Sequence, residues 1–334
     1  MTTVRTSAPG KLLLFGEYAV LAGGTAVVMA VDRRAAVTIE PADTEDLHVA
    51  APQLNLPGEG LVFDPDHPGR LLGLTGRLLA ARLARYGIEP AGLRIEIDTG
   101  ALFDAGPAGT PVKLGLGSSA AVAAALDTAL ASFADAPPPT FEDLLPAYRQ
   151  AVGAPASGAD LAASLHGGLR RAAPGNGSTT GTTTVEWPDG LHAQPIWVGQ
   201  PASTPAFASA FENWRAERPE SARDWVERMD GITGRALERG TAAAWRAAAS
   251  AWGEGLFQLQ SALGLEIVTG AHSDVAALAV EHGVAYKTCG AGGGDFGIAL
   301  SDDPDALQAF AGHASERGGR PVELHLDPGG ARVE

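Results

Sequence analysis

A chain of 334 residues with 45% apolar residues is long for one core and suits two packed lobes. Its formal net charge of −15 argues against general affinity for nucleic acid or an anionic membrane, though not against a small anion held by a few placed cations. No run approaches the length of a membrane span, residues Met1 to Thr6 lack the apolar core of a leader, and the single cysteine, Cys289, excludes an internal disulfide framework and fits the cytoplasm.

In chain order, Lys11 to Phe15 and Thr25 to Val31 are glycine-bounded apolar runs that predict buried strands, and Ala35 to Glu40 continues as β. Residues 41 to 69, rich in Pro, Asp and Gly, predict a hairpin or loop excursion. Arg70 to Tyr86 has helical spacing, with Leu71, Leu72, Leu78, Leu79 and Leu83 on one side. Leu93 to Asp98 alternates as a strand, Ser118 to Phe133 predicts an alanine-rich helix, and Pro137 to Pro139 stops it before a helix at Phe141 to Val152. The Ser/Thr/Gly stretch from Pro174 to Thr184 is the best candidate for a hinge between halves. Beyond it a strand near Ile196 to Val198 precedes helices at Pro205 to Arg218, Glu220 to Arg239 and Ala242 to Leu263. A helix at Ser273 to Glu281 leads into a strand–glycine turn–strand pattern over Tyr286 to Leu300, and Asp303 to Glu316 and Pro321 to Leu326 close the chain as helix and strand. The pattern is α+β, without internal repeats.

Four segments carry candidate chemistry. Of 24 Lys plus Arg, only three are lysines, Lys11, Lys113 and Lys287, and each sits at a glycine-rich segment. A compact ammonium on a flexible stem suits phosphate. Lys113-Leu-Gly-Leu-Gly-Ser-Ser-Ala-Ala121 runs into the alanine-rich helix, where Gly115 and Gly117 permit a tight path and Ser118 and Ser119 stand at a helix N-terminus, a ready phosphate site with a hydroxyl for Mg²⁺. It is not a Walker P-loop; the plainer reading is a glycine turn with a serine N-cap. Ala8-Pro-Gly-Lys-Leu-Leu-Leu-Phe-Gly-Glu-Tyr18 places Lys11, Glu17 and Tyr18 at one rim of a sheet, and its plainer reading is a Lys11–Glu17 ion pair. In Ser157-Gly-Ala-Asp160, the apolar and small residues that follow predict an aspartate that is not fully solvated and is able to orient an acceptor or take its proton, unless it only caps a helix; His166 reads as packing. Lys287-Thr-Cys-Gly-Ala-Gly-Gly-Gly-Asp-Phe-Gly297 has four glycines before Asp295 that let backbone approach a ligand, or else form a glycine-rich hairpin turn; Cys289 reads as a small packing residue.

Three of these segments, in this order, resemble the GHMP kinase superfamily: an APGK strand, a GLGSSA loop with its helix, and a late GAGGGD turn. The resemblance implies an α+β, two-lobed fold, with an N-terminal ribosomal-protein-like α/β lobe over 1–175 and a C-terminal α+β sandwich lobe over 176–334. It implies that Lys113, Gly115, Leu116, Gly117, Ser118, Ser119 and Ala120 wrap the ATP phosphates, that Ser119 ligates Mg²⁺, and that Lys11 and Asp160 act at the acceptor. Within the superfamily the sequence is most similar to the phosphomevalonate kinases, through Gly-Glu-Tyr18, Lys113, Pro-Ala-Ser-Thr204 and the Lys287 segment; Thr288 and Cys289 depart from the usual pattern. Mevalonate kinases place a Mg²⁺-binding glutamate eleven residues before the catalytic aspartate, where this chain has Arg149. The resemblance assigns Glu17, Tyr18, Ser157, Ser203, Thr204, Lys287, Gly290, Ala291, Gly292 and Asp295 to an anionic small-molecule acceptor. The expected partners are therefore ATP and that acceptor, in a monomer or homodimer.

Overall fold

In the computed structural model, residues 2–54, 61–64, 66–67, 73–105, 111–153, 156–174, 180–199 and 204–334 are described. The strands are β1 (Val4–Phe15), β2 (Ala26–Pro41), β3 (Leu47–Ala50), β4 (Leu61–Val62), β5 (Leu93–Asp98), β6 (Phe103–Ala105), β7 (Pro111–Lys113), β8 (Leu169–Pro174), β9 (Thr180–Val185), β10 (His192–Trp197), β11 (Ala285–Thr288), β12 (Phe296–Ser301), β13 (Arg320–Pro321) and β14 (Arg332–Val333). The helices are α1 (Leu74–Tyr86), α2 (Ser118–Phe133), α3 (Phe141–Val152), α4 (Ala159–His166), α5 (Thr204–Glu217), α6 (Pro219–Arg239), α7 (Ala242–Leu263), α8 (Gly270–Glu281) and α9 (Pro304–Ala314).

The chain forms two compact units, neither contiguous in sequence: Met1–Lys11, Ala30–Gly168 and Leu326–Glu334 make the first, and Leu12–Met29 and Leu169–His325 the second. The division expected at 175 falls instead after Gly168, and two crossover segments join the other half. Of the predicted hinge, Pro174 and Thr180 to Thr184 lie in paired strands, β8 against β9 from Leu169↔Val185 to Pro174↔Thr180, and residues 175–179 lie outside the described residues. Threonine suits a pleated surface as well as it suits a loop, so its abundance here does not distinguish the two.

In the first unit the strand order is β14-β1-β2-β5-β3-β4. Alternation decides which side chains enter the core: Leu93, Ile95 and Ile97 of β5 are buried, while Glu96 and Asp98 are exposed. Strand β5 is antiparallel to β2 and parallel to β3. Helix α2 is buried along nearly its whole length from Ala120 to Ala131, which alanine's small side chain permits. It also buries Asp127, held by Arg82 of α1 at 2.5 and 2.9 Å; Arg82 reaches on to Asp143 of α3 at 2.8 Å and to Tyr86 at 3.1 Å. The ionised groups are thus multiply paired, the condition for tolerating buried charge.

A C-terminal strap, absent from the sequence reading, closes this unit. Arg34 Nη1 pairs with Asp327 at 2.5 Å and Nη2 donates to the carbonyls of Gly330 at 2.7 Å and Ser7 at 3.0 Å. Ala331 N–H then donates to Leu165 O at 3.0 Å in the last turn of α4, and a Cβ on Gly330 would stand 2.0 Å from that oxygen. Only glycine lets the strap lie so close.

In the second unit Ala26–Met29 of β2 pairs with β8, and a separate antiparallel sheet runs β11-β12-β10-β13. Helix α7 presses on β11 at Gly253, where a Cβ would lie 3.1 Å from Tyr286 O. Ile196, Val275, Leu278, Tyr286 and Phe310 form one core cluster, and elsewhere the Trp245 ring meets Phe15 edge-on at 5.3 Å and Trp187 at a tilt at 5.8 Å between centroids. No helix of the described residues is long and apolar enough to cross a membrane.

Candidate active site

Thr140, Thr241, Thr269 and Asp303 cap α3, α7, α8 and α9 with their side chains. Helices α2 and α4 begin differently, each behind a left-handed glycine with no side-chain cap, Gly117 at φ 74° and Gly158 at φ 81°. The serine N-cap of the plainer reading is not what starts α2; Ala120 N–H turns back to Gly117 O at 3.0 Å, and the N–H groups of Ser118 and Ser119 stand ahead of it at the helix end that favours an anion.

The loop before α2 is pinned from inside. Leu114 and Leu116 are buried, Leu114 N–H donates to Leu102 O at 3.1 Å, and Lys11 N–H donates to Leu116 O at 2.8 Å. Gly115 is left-handed too, at φ 73°. Ser118 is half-buried and Ser119 exposed, while Lys113 is exposed at the end of β7. The aliphatic stem of half-buried Lys11 lies over Gly117, where a Cβ would meet its Cγ and Cε at 2.8 Å. Lys11 and the loop are therefore one assembled feature. Gly117→Ala is expected to cost about 1–2 kcal/mol in the left-handed region alone, read as a lowered Tm, and to push the Lys11 stem aside. Ser119 Oγ is the kind of neutral oxygen that Mg²⁺ accepts beside phosphate and water, so the donors here fit that ion.

Asp160 is the second residue of α4, not its cap. A Cβ on Gly158 would meet Leu145 at 2.4 Å, so glycine is required where α4 starts against α3. Tyr148 of α3 donates its hydroxyl to Asp160 Oδ2 at 2.8 Å, and Leu161 N–H donates to Oδ1 at 2.9 Å. Burial, and then the Asp160 charge, push the Tyr148 phenol well above its ordinary value, so it remains a donor. Arg149 donates to the carbonyls of Ala156 at 2.9 Å and Ser157 at 3.3 Å, and Ser157 Oγ accepts from Ala159 N–H at 3.2 Å. The half-buried His166 lies against Phe141, with ring centroids 6.1 Å apart and the planes tilted.

The second unit holds the remaining candidates. Glu17 pairs with Lys287, not with Lys11: Lys287 Nζ donates to Glu17 Oε1, and both side chains are wholly buried. The expectation that these two present charge to an acceptor is corrected accordingly; they are an internal pair. Burial raises the Glu17 pKa and the adjacent ammonium opposes that rise. Tyr18, at φ 60°, donates to Ala291 O, and burial followed by the Glu17 charge raises its pKa.

In the turn, Gly290, Gly292, Gly293 and Gly294 all have positive φ, as does Asp295 at 56°. A Cβ on Gly292 would lie 2.4 Å from Ile267 O, and one on Gly293 would lie 2.6 Å from Phe207. These two glycines are required by the protein's own packing; at Gly290 nothing of the protein lies within 4 Å of an added Cβ. His272, which the sequence did not single out, steadies the turn: its Nε2 bonds to Gly294 O at 3.0 Å and its Nδ1 to Tyr286 Oη at 2.8 Å. Burial lowers its pKa to about 4, so it is neutral here, with Nε2–H donating. Cys289 is buried, as a packing residue should be. Ser203 lies outside the described residues, as does the side chain of Thr204.

The first unit thus brings together Lys11, the loop from Lys113 to Ala120 and its uncapped helix, and it also holds Ser157 and Asp160; the second unit holds Tyr18, the buried Glu17–Lys287 pair and the turn. Residues 74–168 match the GHMP kinases N terminal domain. The chain is 31% identical to the phosphomevalonate kinase of a Streptomyces species, over 90% of each chain. It is 35% identical to the mevalonate kinase of Methanothermobacter thermautotrophicus over 49% of this chain and 48% of that one. The structure of Streptococcus pneumoniae phosphomevalonate kinase in complex with phosphomevalonate and AMPPNP superposes with a TM-score of 0.78, at 18% identity, over 97% of this chain and 99% of that one. The chain belongs to the GHMP kinase family, with the two-lobed α+β fold of those enzymes. Both phosphomevalonate and mevalonate kinases are among its relatives.

Proposed function

We propose that this protein is an ATP-dependent phosphomevalonate kinase, moving the γ-phosphoryl group of ATP onto 5-phosphomevalonate to give 5-diphosphomevalonate and ADP. The observation that carries the acceptor choice is Arg149. A mevalonate kinase is expected to have an anionic metal ligand eleven residues before the catalytic aspartate, and here a guanidinium instead donates to the carbonyls of Ala156 and Ser157. The relative matched over 90% of the chain agrees with that choice.

A phosphomonoester has its second pKa at roughly 6, so its attacking oxygen is already largely deprotonated at neutral pH. Such an acceptor needs relief of repulsion between two polyanions more than it needs a base. In this reading the α2 N-terminus and its loop hold the ATP phosphates, Lys11 and Lys113 supply positive charge, and Ser119 holds Mg²⁺. When bound, Mg²⁺ neutralises phosphate charge. Asp160 and Ser157 orient the acceptor. The family resemblance assigns acceptor contacts also to Tyr18, Ser203, Thr204, Gly290, Ala291, Gly292 and Asp295, and the buried Glu17–Lys287 pair holds Tyr18 and the turn. We place the reaction in the cytoplasm, in a monomer or homodimer.

The test is ADP release with Mg²⁺-ATP, comparing mevalonate with 5-phosphomevalonate. Turnover with 5-phosphomevalonate alone is expected. Turnover with mevalonate instead would move the chain to the second reading, which the half-length match to a mevalonate kinase supports.

A further inference from the structure

Residues Leu145, Tyr148 and Arg149 are spaced three and four apart, so they share one face of α3 near its C-terminal end. Each reaches the start of α4. Leu145 fills the space that a Cβ on Gly158 would need; Arg149 donates to the carbonyls of Ala156 and Ser157; Tyr148 donates to Asp160 Oδ2 at 2.8 Å. The neighbouring oxygen, Oδ1, accepts from Leu161 N–H at 2.9 Å. Both carboxylate oxygens are therefore fixed, one by the helix backbone and one by a phenol that is itself 3% exposed. An apolar ring would fill the space of Tyr148 without the cost of burying a hydroxyl, so the hydroxyl's partner is what explains the residue.

We infer that Tyr148 is a positioning residue for phosphoryl transfer: it fixes the rotamer of Asp160, on a template made by the last turns of α3. The inference rests on the reading of Asp160 as an acceptor-orienting group. Nothing in the sequence marks Tyr148, because its role exists only where the end of one helix meets the start of the next.

The test is a double-mutant cycle in the full chain with Tyr148→Phe and Asp160→Ala, measured as kcat and KM with Mg²⁺-ATP and whichever acceptor turns over. Phenylalanine keeps the ring and its packing, and thermal melts with nucleotide binding check that each variant is folded. Tyr148→Phe is expected to lower kcat about fivefold with KM for ATP unchanged, since a misoriented group costs rate rather than nucleotide affinity. In the Asp160→Ala background the same change is expected to have almost no further effect, because the group it positions is gone. A purely structural tyrosine would cost the same in both backgrounds, and that result, or full kcat in Tyr148→Phe, would overturn the inference while leaving the reading of Asp160 intact. Full turnover by Asp160→Ala alone would instead overturn that reading, and the positioning role with it.

Discussion

Replacing Lys287 with methionine is expected to destabilise the protein by about 3–5 kcal/mol, the cost of leaving a buried charge without its partner. The side chains of Lys287 and Glu17 are both fully inaccessible, and the ammonium donates directly to the carboxylate. Methionine matches the lysine stem in length, so packing is roughly kept and the loss is electrostatic. Glu17, whose pKa burial already raises, would then take up a proton instead of remaining ionised in an apolar setting. The variant is therefore expected to be relatively more stable at acidic pH than the wild type. A carboxyl with a raised folded-state pKa stabilises the fold below its unfolded value near 4.5, and that stability is lost as pH rises through the folded-state value. Urea unfolding at several pH values measures this. Adding Glu17→Gln removes the orphaned charge and is expected to recover most of the loss; equal instability of the single and double variants would show that the pair contributes only packing. Because Glu17 immediately precedes Tyr18 and Lys287 lies just ahead of the glycine turn, the pair fixes two segments 270 residues apart in sequence.

That long-range pairing marks where sequence reading stopped. Elements whose signal is local were legible: α2, α3, α7 and β5 occupy the predicted ranges, because alanine runs, the Pro137–Pro139 stop and strict alternation act over a few residues. The glycine segments were legible as segments, but their reasons were not. Gly292 and Gly293 admit Ile267 and Phe207, contacts that no local pattern encodes. Glu17 looked like a partner for Lys11, six residues away, when its partner is Lys287. Arg34 and the Gly329–Gly330 strap were invisible for the same reason: an arginine and a glycine pair are ordinary until the fold lays one on the other. His272 and Tyr148 are likewise defined by neighbours from other elements. The candidate phosphate loop fared best, since a glycine-bounded helix start is built from consecutive residues.

Lys11→Met is expected to lower kcat about 10²- to 10³-fold, the scale of removing one preorganised charge from a transition state. Asp160→Asn is expected to cost only about tenfold, as befits an orienting group more than a proton acceptor. The order follows from the acceptor. A phosphomonoester with a second pKa of roughly 6 brings its own deprotonated oxygen, so a neutral amide, whose one oxygen keeps one of the two hydrogen bonds that Asp160 accepts from Tyr148 and Leu161 N–H, keeps part of what Asp160 supplies. An amide also removes one negative charge from the neighbourhood of a dianionic substrate and a polyphosphate. The Lys11 ammonium has no such replacement, since methionine keeps the stem that packs on Gly117 but not the charge. The measurement is single-turnover phosphoryl transfer at saturating ATP and acceptor, so that binding defects do not enter. With an alcohol acceptor the ranking would invert, because its proton must leave during attack and the carboxylate would then be the base. Finding Asp160→Asn the more damaging variant would accordingly refute both the orienting role and the choice of a phosphorylated acceptor.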